Sequence, residues 1–288
     1  MRGKVVVITG ATSGIGQVAA ERLAGMGARL VLVARDKARG EAALARLRQL
    51  GPGVAHSIHY AELSRVAEMK RVAAKIAAAE PRIDVLINNA GALFGSRQVT
   101  EDGLELTFAT NHVAYFVLTH GLRPSLAAAA PTARVVNTAS DAHKGNKLDF
   151  SDLQSAKDYS GFKVYGRSKL CNILYTRELA RRWAGTGVTA NTLHPGFVAT
   201  RFGDQSGGMM SFAVRVAKNF AISPERGAET IVYLASSDEV ASVSGKYFYK
   251  CREATPTREA QDDTAAQRLW AETEKLAAIQ SDSRSAAS

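Results

Sequence analysis

The feature that most constrains this chain is its opening. A charge-free run of β-branched residues, Val5 to Ile8, leads into Gly10, Gly14 and Gly16. An unbroken apolar run of this kind reads as a strand buried on both faces. Residues 17–26 then follow with helical spacing, closed by Gly27 and Ala28. Strand, glycine turn and helix together point helix-start N–H groups toward a phosphate. Gly10 makes the sharp turn, Gly14 lets the backbone come close to a pyrophosphate, and Gly16 lets helix and strand pack tightly. The spacing is Gly-x-x-x-Gly-x-Gly rather than the commoner Gly-x-Gly-x-x-Gly.

The alternation continues along all 288 residues. Further strands are predicted over residues 29–34, 54–60, 83–88, 134–140, 188–194 and 246–249. Helices are predicted between them, including long ones over about 101–129 and 161–184, another over 225–235, and a terminal helix over about 263–278. There is no Pro/Gly/Ser-rich linker and no internal repeat, so residues 1–288 read as a single domain. Regular alternation of this kind predicts an α/β fold, a Rossmann-type doubly wound parallel sheet of about seven strands with helices on both faces. Ligands of such sheets sit at the carboxyl ends of the strands.

Composition narrows the class. Hydrophobic residues make up 46% of the chain, enough for a sizeable core. Cys171 and Cys251 lack metal-ligand spacing, which argues against a zinc site or a disulfide framework and predicts no metal. No apolar run approaches the roughly 18 residues of a membrane span. The first strand begins by residue 4, and a cytoplasmic protein is expected. The formal net charge is +10, but Lys and Arg are spread along the chain without aromatic interleaving. A solvated basic surface is expected rather than nucleic-acid or membrane-surface binding, which steep salt dependence would reveal.

The chemistry-bearing residues fall at strand ends or helix starts. Tyr165-Gly-Arg-Ser-Lys169 heads a helical stretch, so its ends share one face. An ammonium about 4 Å from a phenol, at an effective dielectric of ~20, interacts by roughly 4 kcal/mol. That would bring a phenol of pKa ~10 down toward neutral pH and make it a usable acid–base group. Tyr159 and Lys163 have the same spacing, but Tyr159 precedes Gly161 in a loop and is set aside. Ser140 ends a strand, where its hydroxyl could donate to a substrate oxygen or simply cap a helix. Asn111 sits inside a predicted helix, either as a buried polar anchor or as a solvated residue.

Five ordered motifs now stand together: Thr9 to Gly16, Asn88-Asn-Ala-Gly91, Ser140, Tyr165 to Lys169 and Pro195-Gly196. In this order the chain resembles the short-chain dehydrogenase/reductase family over its full length. It looks most like the retinol-dehydrogenase-like branch, through Thr110 to Thr119, Ser140-Asp-Ala-His143, Ser168 to Leu179, Gly245 to Phe248 and Leu269-Trp270. The resemblance implies that Tyr165 exchanges a proton with the carbonyl or alcohol oxygen. Lys169 would lower its pKa and hold the nicotinamide ribose, Ser140 would orient the substrate oxygen, and Asn111 would hold a relay water. It also implies a cofactor site at Gly10, Thr12, Ser13, Gly14, Ile15 and Gly16, at Asn89, Ala90 and Gly91, and at Pro195, Gly196, Val198 and Thr200. Tyr165 and Lys169 line that site as well.

Glu62-Leu63 stands where many relatives carry Asp-Leu against the adenine, with the charge kept and the reach longer. Arg35 follows the second strand where an acidic residue would select NAD(H), so NADP(H) is expected in preference to NAD(H). Residues 197–223 correspond to a substrate lid, and their Phe and Met content suggests a hydrophobic aldehyde, ketone or secondary alcohol. A homo-dimer or homo-tetramer pairing through the two long helices is expected by resemblance. The alternative is a non-catalytic NADP(H)-binding sensor of the same fold. An intact Ser140, Tyr165 and Lys169 count against it.

Overall fold

A computed structural model describes residues 1–197 and 222–279. Eight strands form one sheet in the order β3-β2-β1-β4-β5-β6-β7-β8. They are β1 (Val5–Thr9), β2 (Arg29–Ala34), β3 (Ser57–Tyr60), β4 (Val85–Asn88), β5 (Ala133–Thr138), β6 (Val188–Leu193), β7 (Tyr247–Tyr249) and β8 (Arg252–Ala254). All neighbours are parallel except β7 and β8. The strand order reverses direction between β1 and β4, which leaves a crevice at their carboxyl ends.

The helices are α1 (Gly14–Gly25), α2 (Lys37–Leu50), α3 (Val66–Ala79), α4 (Leu106–Phe108), α5 (Ala114–Gly121), α6 (Arg123–Ala127), α7 (Gly161–Arg182), α8 (Pro224–Ser236) and α9 (Asp263–Leu276). One core, with Met69, Ile76, Phe116 and Leu174, lies on one face of the sheet. A second, with Ile8, Leu23, Leu32 and Ile231, lies on the other. Both faces are therefore covered, as apolar runs such as Val5 to Ile8 require.

Three elements differ from the sequence expectation. An eighth strand, β8, is added antiparallel through a tight turn at Lys250 and Cys251, whose φ values are 50° and 59°. Neither is a glycine, so no turn signal marks it. The long helix expected over 101–129 is broken. The buried Glu105 carboxylate caps its start at Thr107 and Phe108, a π-helical turn spans Ala109–Val113, and a break at Leu122 precedes Pro124. The third strand begins at Ser57 rather than residue 54.

Helix α9 of the same chain packs on part of the α5 and α7 surface, where pairing is expected by resemblance. Trp270 meets Phe116 and Tyr175 at ring-centre distances of 5.0 and 5.7 Å, and Thr273 bonds His112 at 3.0 Å. Among the described residues, no helix is long and apolar enough to cross a membrane. Most of the expected lid, residues 198–221, lies outside the described residues, and Val198 and Thr200 lie there with it.

Candidate active site

The site assembles where β1, β4, β5 and β6 end. Gly10 and Gly14 adopt φ of 70° and 56°, values that favour glycine. A Cβ on Gly16 would stand 2.2 Å from the Gly10 carbonyl oxygen, so the turn closes only because that position has no side chain. Ser13 is extended at the start of α1 without capping it, and no acidic residue occupies the first turn. The N–H groups at Gly14, Ile15 and Gly16 are therefore not met by a capping side chain, and Thr12 lies in the turn beside them. This backbone fits a dinucleotide pyrophosphate.

The Asn88 to Gly91 stretch braces that turn. Asn89 Nδ2 donates to the Thr9 and Gly10 carbonyl oxygens at 3.2 and 3.4 Å. Thr9 Oγ1 accepts from the Asn89 and Ala90 N–H groups, both at 2.9 Å. Asn89, expected to hold cofactor, thus spends its side-chain amide on tying β1 to β4. Ala90 packs directly under Gly10, and Gly91 leaves open the space beside Lys169 Nζ and Asn111 Oδ1.

At the far end of the crevice, Arg35 and Glu62 stand 3.5 Å apart, both substantially exposed. Asp36, next to Arg35, turns away and caps α2 through the Arg39 N–H at 2.8 Å. Leu63 is buried in the core. Arg35 is therefore an exposed cation directly at the end of β2, within reach of an anion there.

Helix α7 brings the reacting side chains inward. Ser140 accepts from the Ala142 N–H at 3.2 Å and bonds the Tyr165 phenol. Lys169 is 2% exposed, donates to the Thr138 carbonyl at 3.1 Å, and lies 5.5 Å from the centre of the Tyr165 ring. The two face each other, but the electrostatics correct the sequence expectation. Burial pushes the Tyr165 pKa well up, opposed by the Ser140 hydrogen bond. Burial brings Lys169 down to about 7. Burial penalises phenolate and ammonium alike, so it moves the Tyr165 pKa in the direction opposite to the lowering that the sequence predicts.

Asn111 sits in the π-helical turn. Its side chain accepts from the Ala92 N–H at 2.8 Å and donates to the Ala92 carbonyl and to Ser168 Oγ, both at 2.9 Å. It is a buried anchor rather than a solvated residue, positioned beside Gly91 and Lys169. Tyr159, set aside earlier, is a loop anchor whose hydroxyl donates to the Phe94 carbonyl at 3.0 Å. Lys163 is exposed.

Pro195 and Gly196 close β6 beside this group, with Gly196 at φ 89°. The sequence reading missed the residues that hold them: His194, Asp141 and Tyr247. Asp141 and Tyr247 fall inside stretches that carry the family resemblance, but no spacing in the sequence links them to His194.

Residues 4–210 match the family described as short chain dehydrogenase. Human retinol dehydrogenase 13 is 39% identical over 289 residues, covering 98% of this chain and 86% of that protein. A crystal structure of an uncharacterized protein from Mycobacterium paratuberculosis is 31% identical, with TM-score 0.76, over 96% of this chain and 94% of that one. The Pseudomonas aeruginosa RhlG/NADP active-site complex is 26% identical, with TM-score 0.69, over 86% of this chain and 94% of that one.

Proposed function

This chain belongs to the short-chain dehydrogenase/reductase family, in its retinol-dehydrogenase-like branch, and on that premise we propose that it interconverts a hydrophobic aldehyde or ketone and the corresponding alcohol with NADP(H). It is an oxidoreductase that works with a nicotinamide cofactor. The finer reading rests on one observation above the others: Tyr165, Lys169 and Ser140 converge beside Gly91 at the strand ends.

A bound reduced nicotinamide would supply the hydride that reaches the carbonyl carbon. The rest falls to this chain. The Tyr165 phenol, protonated by virtue of its burial, gives its proton to the carbonyl oxygen. Ser140 orients that oxygen and then stabilises the phenolate left behind. Lys169, with a pKa of about 7, carries a proton back toward Tyr165. In the alcohol-oxidising direction the same groups run in reverse. Arg35 supports NADP(H), since its guanidinium suits a 2′-phosphate and Asp36 is engaged by α2. The retinol dehydrogenase relatives and the exposed Phe197 at the edge of residues 197–223 support an apolar substrate.

The test is a panel of hydrophobic aldehydes, ketones and alcohols with NADPH, NADH and their oxidised forms, followed by nicotinamide absorbance. Turnover favouring NADP(H) is expected. Cofactor binding without turnover across the panel would favour a sensor of the same fold.

A further inference from the structure

His194 closes β6 immediately before Pro195 and Gly196 and is 6% exposed. Its Nδ1 accepts the Gly196 N–H at 3.0 Å. A ring nitrogen that accepts an N–H carries no proton, so the imidazole is neutral with its proton on Nε2. That Nε2 lies 3.6 Å from Asp141 Oδ1. Asp141 directly follows Ser140, and its carboxylate also takes Tyr247 Oη at 3.4 Å and Lys144 Nζ at 2.8 Å. The Tyr249 ring stacks on His194 with centres 4.2 Å apart, which fixes the plane of the imidazole. The end of β6 is thereby fastened to the Ser140 turn by side chains as well as by the Ala139 N–H to Leu193 carbonyl bond at 2.7 Å. Gly196 sits at a positive φ, and a Cβ there would stand 2.8 Å from Ile222 Cδ1, while the Ile222 N–H donates to the Phe197 carbonyl at 2.8 Å on the far side of the turn.

We propose that His194 is a positioning residue for the nicotinamide end of the cofactor site. In its neutral form, oriented by Asp141 and Tyr249, it holds the Pro195–Gly196 turn in register with Ser140. This inference rests on the cofactor reading above. Protonation of Nδ1 would remove the acceptor for Gly196. The groups facing the ring are Asp141, which favours the imidazolium, Lys144, His143 and Lys250, which oppose it, and the Tyr247 and Tyr249 rings. Burial outweighs Asp141 and keeps the ring neutral.

The experiment measures NADPH and adenosine 2′,5′-bisphosphate affinities by calorimetry on the full chain. The second ligand carries the adenine and 2′-phosphate but no nicotinamide. His194→Leu removes the acceptor. His194→Asn retains one, because an Asn oxygen reaches the N–H two residues on in an Asx turn. His194→Leu is expected to weaken NADPH about tenfold, the worth of one such hydrogen bond, with the bisphosphate unchanged. His194→Asn is expected to restore most of that loss.

The pH dependence supplies a second readout: the ratio of wild-type to His194→Asn affinity for NADPH falls as pH drops and His194 gains its second proton. Equal NADPH binding by wild type and His194→Leu, equal losses for both ligands, failure of His194→Asn to recover, or a pH-independent ratio would each overturn the inference. Wild-type protein that binds the bisphosphate but not NADPH would overturn it too. Failure of wild type to bind either ligand would instead sink the cofactor reading beneath it.

Discussion

Lys169→Met should make the protein more stable while disabling it. Lys169 is fully enclosed, and its pKa falls from 10.5 to about 7 through burial. That difference corresponds to up to about 5 kcal/mol of unfavourable burial of the ammonium. Met has a similar unbranched shape and no charge. The Thr138 carbonyl that Lys169 bonds keeps a second donor, Asn172 Nδ2, at 3.2 Å, so the exchange leaves no bare acceptor.

The sign follows from proton linkage. The folded pKa is depressed, so the unfolded chain binds more protons between about 7 and 10.5. Wild-type stability therefore rises with pH across that window and is lowest, on this account, at and below pH 7. The variant lacks that slope. Urea unfolding of ligand-free protein at a series of pH values should show a gap of several kcal/mol at pH 7 that closes toward pH 10.5. Carbonyl turnover should fall by about a hundredfold or more. A variant no more stable than wild type at pH 7, or a gap independent of pH, would refute the reasoning.

Two further outcomes follow from the same geometry. Arg35→Ala should weaken NADPH by about 10- to 100-fold, the worth of a charged hydrogen bond, and leave NADH nearly unchanged; equal effects on both cofactors in a binding titration would remove Arg35 from the 2′-phosphate site. Because α9 lies on Phe116 of α5 and Tyr175 of α7 through Trp270, no homo-oligomer should form through that face. Trp270→Arg would break the packing without exposing a functional pairing surface. Sedimentation of wild type as a complex whose cross-links join α5 and α7 of two chains would contradict this.

What could be read from the sequence was what local spacing controls. The glycine turn, the strand ends and the position of Tyr165 one helical turn before Lys169 depend on residues close together, and all stand where expected. The misses have other causes. A π-helical turn at Ala109–Val113 inserts one residue into a helix whose apolar pattern continues through it. The turn to β8 uses positive φ at Lys250 and Cys251, residues that do not announce it. The Asn89 amide bonds the backbone of Thr9 and Gly10, a link between strand ends that no local spacing shows. The Tyr165 pKa depends on how dry the crevice is, and burial is a property of the packed fold. The link between His194 and Asp141 joins separate strand ends, so only the sheet order reveals it.

The most direct test of the account is Tyr165→Phe, which keeps the ring and removes the proton. Turnover of a reactive aldehyde with NADPH should drop about 10²- to 10⁴-fold, the range of a general acid, while the dissociation constant for NADPH stays close to the wild-type value. Turnover retained by a variant with unchanged cofactor binding would mean that the proton comes from another group, and the role given to Tyr165 would be wrong.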